Sequence, residues 1–237
     1  MRRCSAWLRA TACSVLIVAS GAVGSVVVTA HPAAAAVAHD NEVFAFGSAT
    51  FQGSTSALAL SRPIVAMATT ADGAGYWLVA ADGGIFSFNA PFYGALAGWP
   101  LAQPVVGMTA TPTGHGYWIV TGDGAVFPFG DARLYGSMSN VRLNAPIKSV
   151  ISGPGGLGYW LYASDGGVFS FGSARFHGST GGMRLNAPVV GMAETPSGNG
   201  YWLVATDGGI FSFGDARFFG STGSMRLNFK PSANGRE

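Results

Sequence analysis

Short apolar runs alternate with polar positions along most of this chain, and the alternation has a period of two. Phe211 and Phe213 flank Ser212, and the same spacing recurs at Phe44/Phe46, Phe86/Phe88, Phe127/Phe129 and Phe169/Phe171. A period of two puts successive side chains on opposite faces of an extended backbone, so it marks half-buried β-strands. Beyond residue 38 no apolar residues fall at helical spacing. The stretch Pro188 to Asn228 shows the full pattern and predicts four strands, at Val189–Ala193, Tyr201–Ala205, Ile210–Phe213 and Arg217–Phe219. Asp207-Gly208-Gly209 between the second and third reads as a hairpin turn, because Asp and Gly tolerate the positive φ it requires.

This pattern is repeated. Tyr76-Trp77, Tyr117-Trp118, Tyr159-Trp160 and Tyr201-Trp202 share one spacing with Pro63, Pro104, Pro146 and Pro188, and with Asp82, Asp123, Asp165 and Asp207. Four complete units follow, each starting at its proline. Half a unit precedes them: Val43–Gly47, Phe51 and Gly53-Ser54 match Ile210–Gly214, Phe218 and Gly220-Ser221. Four short antiparallel strands in about 42 residues is the size of one β-propeller blade. A sheet this small cannot bury an aromatic face alone, and stacking on its neighbours buries both faces. The expected fold is therefore all-β, a propeller of four-stranded blades with four and a half units.

The units resemble a glycine- and aromatic-rich repeat of secreted actinobacterial proteins, of the form G-Y-W-L-V-x-x-D-G-G-I-F-x-F-G-D-A-x-F-x-G-S. Gly200 to Ser221 is the copy nearest to it, and the likeness extends over nearly all of residues 40–228. The resemblance implies propeller blades, in that group sometimes attached to cell-wall hydrolases; no such enzyme domain is visible here. The half unit offers a third and a fourth strand, and the polar tail 229–237 cannot supply the first and second. Four blades plus a hairpin, five blades with one incomplete, and association between chains are the three outcomes. Five-fold geometry with one incomplete blade is favoured.

Residues 1–38 read differently. Arg2, Arg3 and Arg9 precede an uncharged, mostly apolar stretch from Ser14 to Ala30, and an alanine-rich segment ends at Ala38. This is the layout of a cleavable export signal, expected to be helical, and it leaves residues 39–228 as the repeat domain. Secretion or a cell-envelope location follows, with no stable membrane insertion after cleavage. The alternative is an uncleaved membrane anchor. Of the 13 basic residues three lie in that leader, and the other ten face eleven acidic ones. No basic field remains to hold nucleic acid. Cys4 and Cys13 also lie in the leader, so the repeats have no thiolate metal site or disulfide. With 49% apolar and 10% charged residues, the chain is too apolar to be disordered.

No catalytic motif survives its context. The repeated Asp of each Asp-Gly pair reads as a turn residue. Asp131 and Asp215 exchange with Ser48 and Ser173, which a turn tolerates and an acid–base role does not. Arg142, Arg184 and Arg226 recur between units and read as solvated loop residues, with anion binding as the alternative. His39, His115 and His177 share no ligand spacing. Gly153-Pro154-Gly155-Gly156-Leu157-Gly158 fits a dinucleotide-binding string, but a strand follows where that motif needs a helix. No metal or cofactor is expected.

The informative positions vary on the constant frame. One fourth-strand position reads Gln52, Tyr93, Tyr135, His177, Phe219, beside a steadily apolar Phe51, Phe92, Leu134, Phe176, Phe218. The variable position is expected to face away from the apolar one, where planar side chains stack on sugar rings or on a protein partner. Trp99, Tyr93, Tyr135 and His177 are thus the candidate ligand-binding residues, with packing as the alternative for each. The expected function is a secreted, non-catalytic binding module for a glycan, a cell-wall polymer or a protein. The alternatives are a secreted hydrolase using His115, His177 and Glu194, and a structural protein that self-associates through its incomplete blade.

Overall fold

The computed structural model describes residues 10–16, 27–32, 42–47 and 49–225. Two strands stand in the leader, β1 (Ala10–Leu16) and β2 (Val27–Pro32), paired antiparallel where a helix was expected. The segment between them and the tail 229–237 lie outside the described residues.

The four complete units form four three-stranded antiparallel sheets in chain order. Unit 1 holds β3 (Ile64–Thr69), β4 (Tyr76–Ala80) and β5 (Ile85–Phe88). Unit 2 holds β6 (Val105–Ala110), β7 (Gly116–Thr121) and β8 (Val126–Gly130). Unit 3 holds β9 (Ile147–Ser152), β10 (Gly158–Ala163) and β11 (Val168–Gly172). Unit 4 holds β12 (Val189–Glu194), β13 (Gly200–Ala205) and β14 (Ile210–Gly214). The middle strand of each is its Tyr-Trp strand, and the first strands of successive sheets lie beside one another. Among the described residues the one helical element is a single 3₁₀ turn at Pro154–Gly156, with strand β10 beginning two residues on at Gly158.

The expected fourth strand is not part of any ladder, which corrects the four-stranded blade, and the third strand expected of the half unit at Val43–Gly47 does not form a strand either. Pro128 stands inside β8, and a residue without an N–H is confined to a sheet edge. The segment that follows each third strand serves other partners. Its carbonyl at Pro91, Arg133, Arg175 or Arg217 accepts the indole N–H of its own unit's Trp77, Trp118, Trp160 or Trp202, each at 2.7 Å. Two to three residues later the chain reaches the next unit. Gly94, Gly136 and Gly178 accept the hydroxyls of Tyr117, Tyr159 and Tyr201 at 2.6, 2.5 and 2.6 Å. Tyr76 donates in the same way to Gly53 of the half unit. The Tyr-Trp pair thus staples each unit twice, Trp to its own outer segment and Tyr to that of the unit before.

The core lies in the seams between units. Trp77 packs on Tyr117, Trp118 on Tyr159 and Trp160 on Tyr201, with centroids 5.5–5.7 Å apart. All six of these rings are fully buried. The second Phe of each third strand closes the seam from the other side, against the preceding unit's glycine. A Cβ on Gly136, at φ +153°, would stand 2.2 Å from the Phe171 ring. Each first strand carries one register irregularity, at Val65, Val106, Lys148 and Val190. A bulged residue is unpaired in the ladder, so the exchange of an apolar side chain for Lys148 is tolerated there.

Candidate functional site

Tyr93, Tyr135 and His177 do not stand on an open face. Each is half-buried in a seam, its ring 5.6–5.8 Å from that of Tyr117, Tyr159 or Tyr201. The Tyr93 and Tyr135 hydroxyls donate to the Gly114 and Gly156 carbonyls of the following unit. The shorter His177 makes no such bond, and its Nε2 is buried without a partner. The apolar neighbour expected to be core is the one that faces solvent. Phe51, Phe92, Leu134, Phe176 and Phe218 are 54–61% exposed. Alternation held, but the inside and outside were reversed. These three residues pack units together, and the structure does not present them to a ligand.

Trp99 is exposed, and it has company. Its equivalents in the other units are Leu58, Val141, Met183 and Met225, and all five are 51–63% exposed. Fourteen large apolar side chains are exposed among the described residues, and ten of them fall in these two rows, one of each kind per unit. The two rows meet at the seam between units 2 and 3. A cavity of about 270 Å³ between units 2 and 3 is lined by Val141 of one and Phe176 of the other, together with Arg142, Asn144 and Asp165. A second, of about 320 Å³ between units 3 and 4, is lined by Met183, Arg184, Asn186 and Asp207. The elements behind both are the same: a loop between units faces the Asp-Gly turn of the following one.

That turn explains its aspartate. Asp82, Asp165 and Asp207 each accept the N–H two residues on, at 2.9–3.0 Å, and the intervening Gly83, Gly166 and Gly208 have φ of +76° to +82°. Asp123 bonds Thr121 Oγ1 at 2.5 Å. Asp131 and Asp215 also hold turns. Thr111 and Thr113 donate to Asp131, and Thr195 and Ser197 donate to Asp215, at 2.5–2.9 Å. Those bonds, Ser197's foremost, keep the Asp215 carboxyl below the usual range. Unit 3 has Gly153 and Gly155 where the hydroxyls would be, and there Ser173 replaces the aspartate.

The remaining titratable groups stay apart. His115 is exposed in a turn, and its backbone alone makes the bonds described. Glu194 closes β12, where the other units have Thr69, Ala110 and Ser152. Burial pushes its carboxyl up to about 7, and its Oε2 is buried without a partner. No group of three His, Cys, Asp or Glu that could hold a metal occurs among the described residues. No described helix is long and apolar enough to cross a membrane.

No family model matches the chain, and no curated protein does. Among solved structures, the β-propeller domain of Cps50 (Swd1) from Myceliophteria thermophila aligns with a TM-score of 0.45 at 11% identity. The alignment covers 66% of this chain and 53% of that one, so this chain spans about half its length.

Proposed function

We propose that this chain is a secreted, non-catalytic binding module with a propeller-like arrangement of its units, and that it engages a cell-envelope polymer through its seams. The two periodic rows of exposed apolar side chains carry this reading. Scattered exposed apolar residues need no explanation, but rows repeated at fixed positions on a rigid scaffold mark an interaction surface. A surface built once per unit suits a ligand that is itself repetitive, because weak contacts add as avidity. The layout of residues 1–38 supports export. Trp99 belongs to this surface, whereas Tyr93, Tyr135 and His177 shape it from within.

Two measurements test the reading. A reporter fused behind residue 38 is expected in the culture medium; retention in the cell sinks the export part. The purified chain is expected to sediment with insoluble peptidoglycan, and recovery in the supernatant at every polymer concentration sinks the binding part.

A further inference from the structure

The four seams are alike in their apolar brackets and unlike in their polar groups. By position in the repeat the pairs are Leu58/Phe92, Trp99/Leu134, Val141/Phe176 and Met183/Phe218; all eight residues are exposed, and Val141 and Phe176 line one cavity together. Each seam also has the turn aspartate, Asp82, Asp123, Asp165 or Asp207. At the two last seams the loop supplies Arg142 with Asn144, and Arg184 with Asn186. At the two first seams the same positions hold Ala59 with Ser61, and Pro100 with Ala102, while Arg62 and Gln103 stand where Ala145 and Ala187 line the cavities.

Resting on the binding reading above, we propose that the seams between units 2 and 3 and between units 3 and 4 are the sugar-binding sites of this chain. Their ligand is a neutral glycan. A sugar ring has an apolar face of C–H groups and a rim of hydroxyls that both donate and accept. In the first cavity Phe176 offers an exposed ring whose negative π-face suits those C–H groups, and in the second Met183 and Phe211 supply the apolar lining. Asp165 is an acceptor only, and one of its oxygens is already taken by the Gly167 N–H at 2.9 Å. An aspartate alone therefore cannot satisfy hydroxyls. Arg142 adds donors and Asn144 adds both kinds, so the three together match a hydroxyl rim. One arginine and one aspartate line each cavity. The charges balance, which selects against a polyanion: the carboxylate repels what the guanidinium attracts. Cavities of about 270 and 320 Å³ are at the small end for ligand sites and suit about one ring each.

Affinity electrophoresis of the full chain in gels containing hydroxyethylcellulose, glycol chitin or polygalacturonate tests this. Retardation by at least one of the two neutral polymers is expected, and none by polygalacturonate. Arg142→Ala and Phe176→Ser should each weaken retardation about tenfold, and Arg142→Ala with Arg184→Ala should abolish it. Pro100→Arg with Ala102→Asn should strengthen it by equipping a third seam. The altered residues other than Ala102 and Pro100 line the open cavities, and an unchanged thermal midpoint shows that each variant is folded. Absence of retardation by either neutral polymer, full retardation of the double arginine variant, or stronger retardation by polygalacturonate overturns the proposal. Sedimentation with insoluble peptidoglycan separates the two readings. If the double arginine variant still sediments like the parent, the seam assignment falls and the binding module stands. If the parent itself does not sediment and is not retarded, both fall.

Discussion

The seam between units 2 and 3 and the outer face of unit 4 are built from the same residues, and they differ in everything that packing decides. In the seam Trp118 is fully buried under Tyr159, Tyr135 stacks on the same ring, and a Cβ on Gly136 would collide with Phe171. On the outer face Trp202 is half-buried, Phe219 is 84% exposed, and a Cβ on Gly220 would meet nothing within 4 Å. Both tryptophans keep the 2.7 Å bond to their own outer segment. A unit therefore supplies its tryptophan's hydrogen bond, and its neighbour supplies that ring's burial. Stability in such an array is approximately a sum of unit terms and seam terms.

The largest expected effect breaks this comparison directly. Trp118→Ala should cost about 3–5 kcal/mol, as for a large buried aromatic, and Trp202→Ala about 1–2. Urea denaturation of the two variants measures both, and equal losses would mean that unit 4 is covered after all. The glycines sharpen the contrast further. Both Gly136 and Gly220 sit at positive φ, +153° and +126°, so alanine strains the backbone at either position. That strain costs about 1–3 kcal/mol. At Gly136 the collision with Phe171 adds about another 1–3. The difference between the two alanine variants isolates the seam from the strain.

Glu194 distinguishes unit 4 from the others by charge. Its folded-state value of about 7 lies above the ordinary carboxylate value. The folded state thus holds the proton more tightly, so the contribution of this group is greatest at low pH. It is lost as the pH rises through the ordinary carboxylate range towards 7. After allowance for partial exposure the loss is on the order of 1 kcal/mol. Glu194→Gln should match the parent near pH 4 and exceed it at pH 8, by about 2–4 °C in thermal midpoint. A parallel pH profile for the two proteins would show that the carboxyl is solvated.

Strands and turns were legible because their signals are local. Phe211-Ser212-Phe213 shows its period within three residues, and Asp207-Gly208 carries its own turn chemistry. The rejection of the glycine string at residues 153–158 was legible for the same reason. The fourth segment was not. Alternation at Phe92-Tyr93 shows that the two residues face opposite ways, and no local rule says which way is inward. That depends on Tyr117, from the next unit, whose hydroxyl takes the Gly94 carbonyl. Two signals did point there. A glycine follows the variable residue in every unit, which marks a close approach of backbone to something. Pro128 inside a third strand marks that strand as an edge. The arginines of the loops between units carried no sign of their cavities, because a cavity between a loop and a distant turn has no sequence period of its own.

The reversal of Phe92 and Tyr93 yields the smallest and sharpest contrast. The two residues are adjacent, both aromatic, and face opposite ways. Tyr93→Ser removes a half-buried ring from Trp77 and Tyr117, at 6.1 and 5.8 Å, and the bond to the Gly114 carbonyl. It should cost about 2–3 kcal/mol. Phe92→Ser removes a ring that is 61% exposed and should stay within about 0.5 kcal/mol of the parent. A loss at Phe92 equal to that at Tyr93 would place Phe92 in a seam and remove the exposed row on which the binding surface rests. A neutral Phe92 leaves that row without a folding role, so that a role in binding is what remains to explain why every unit repeats it.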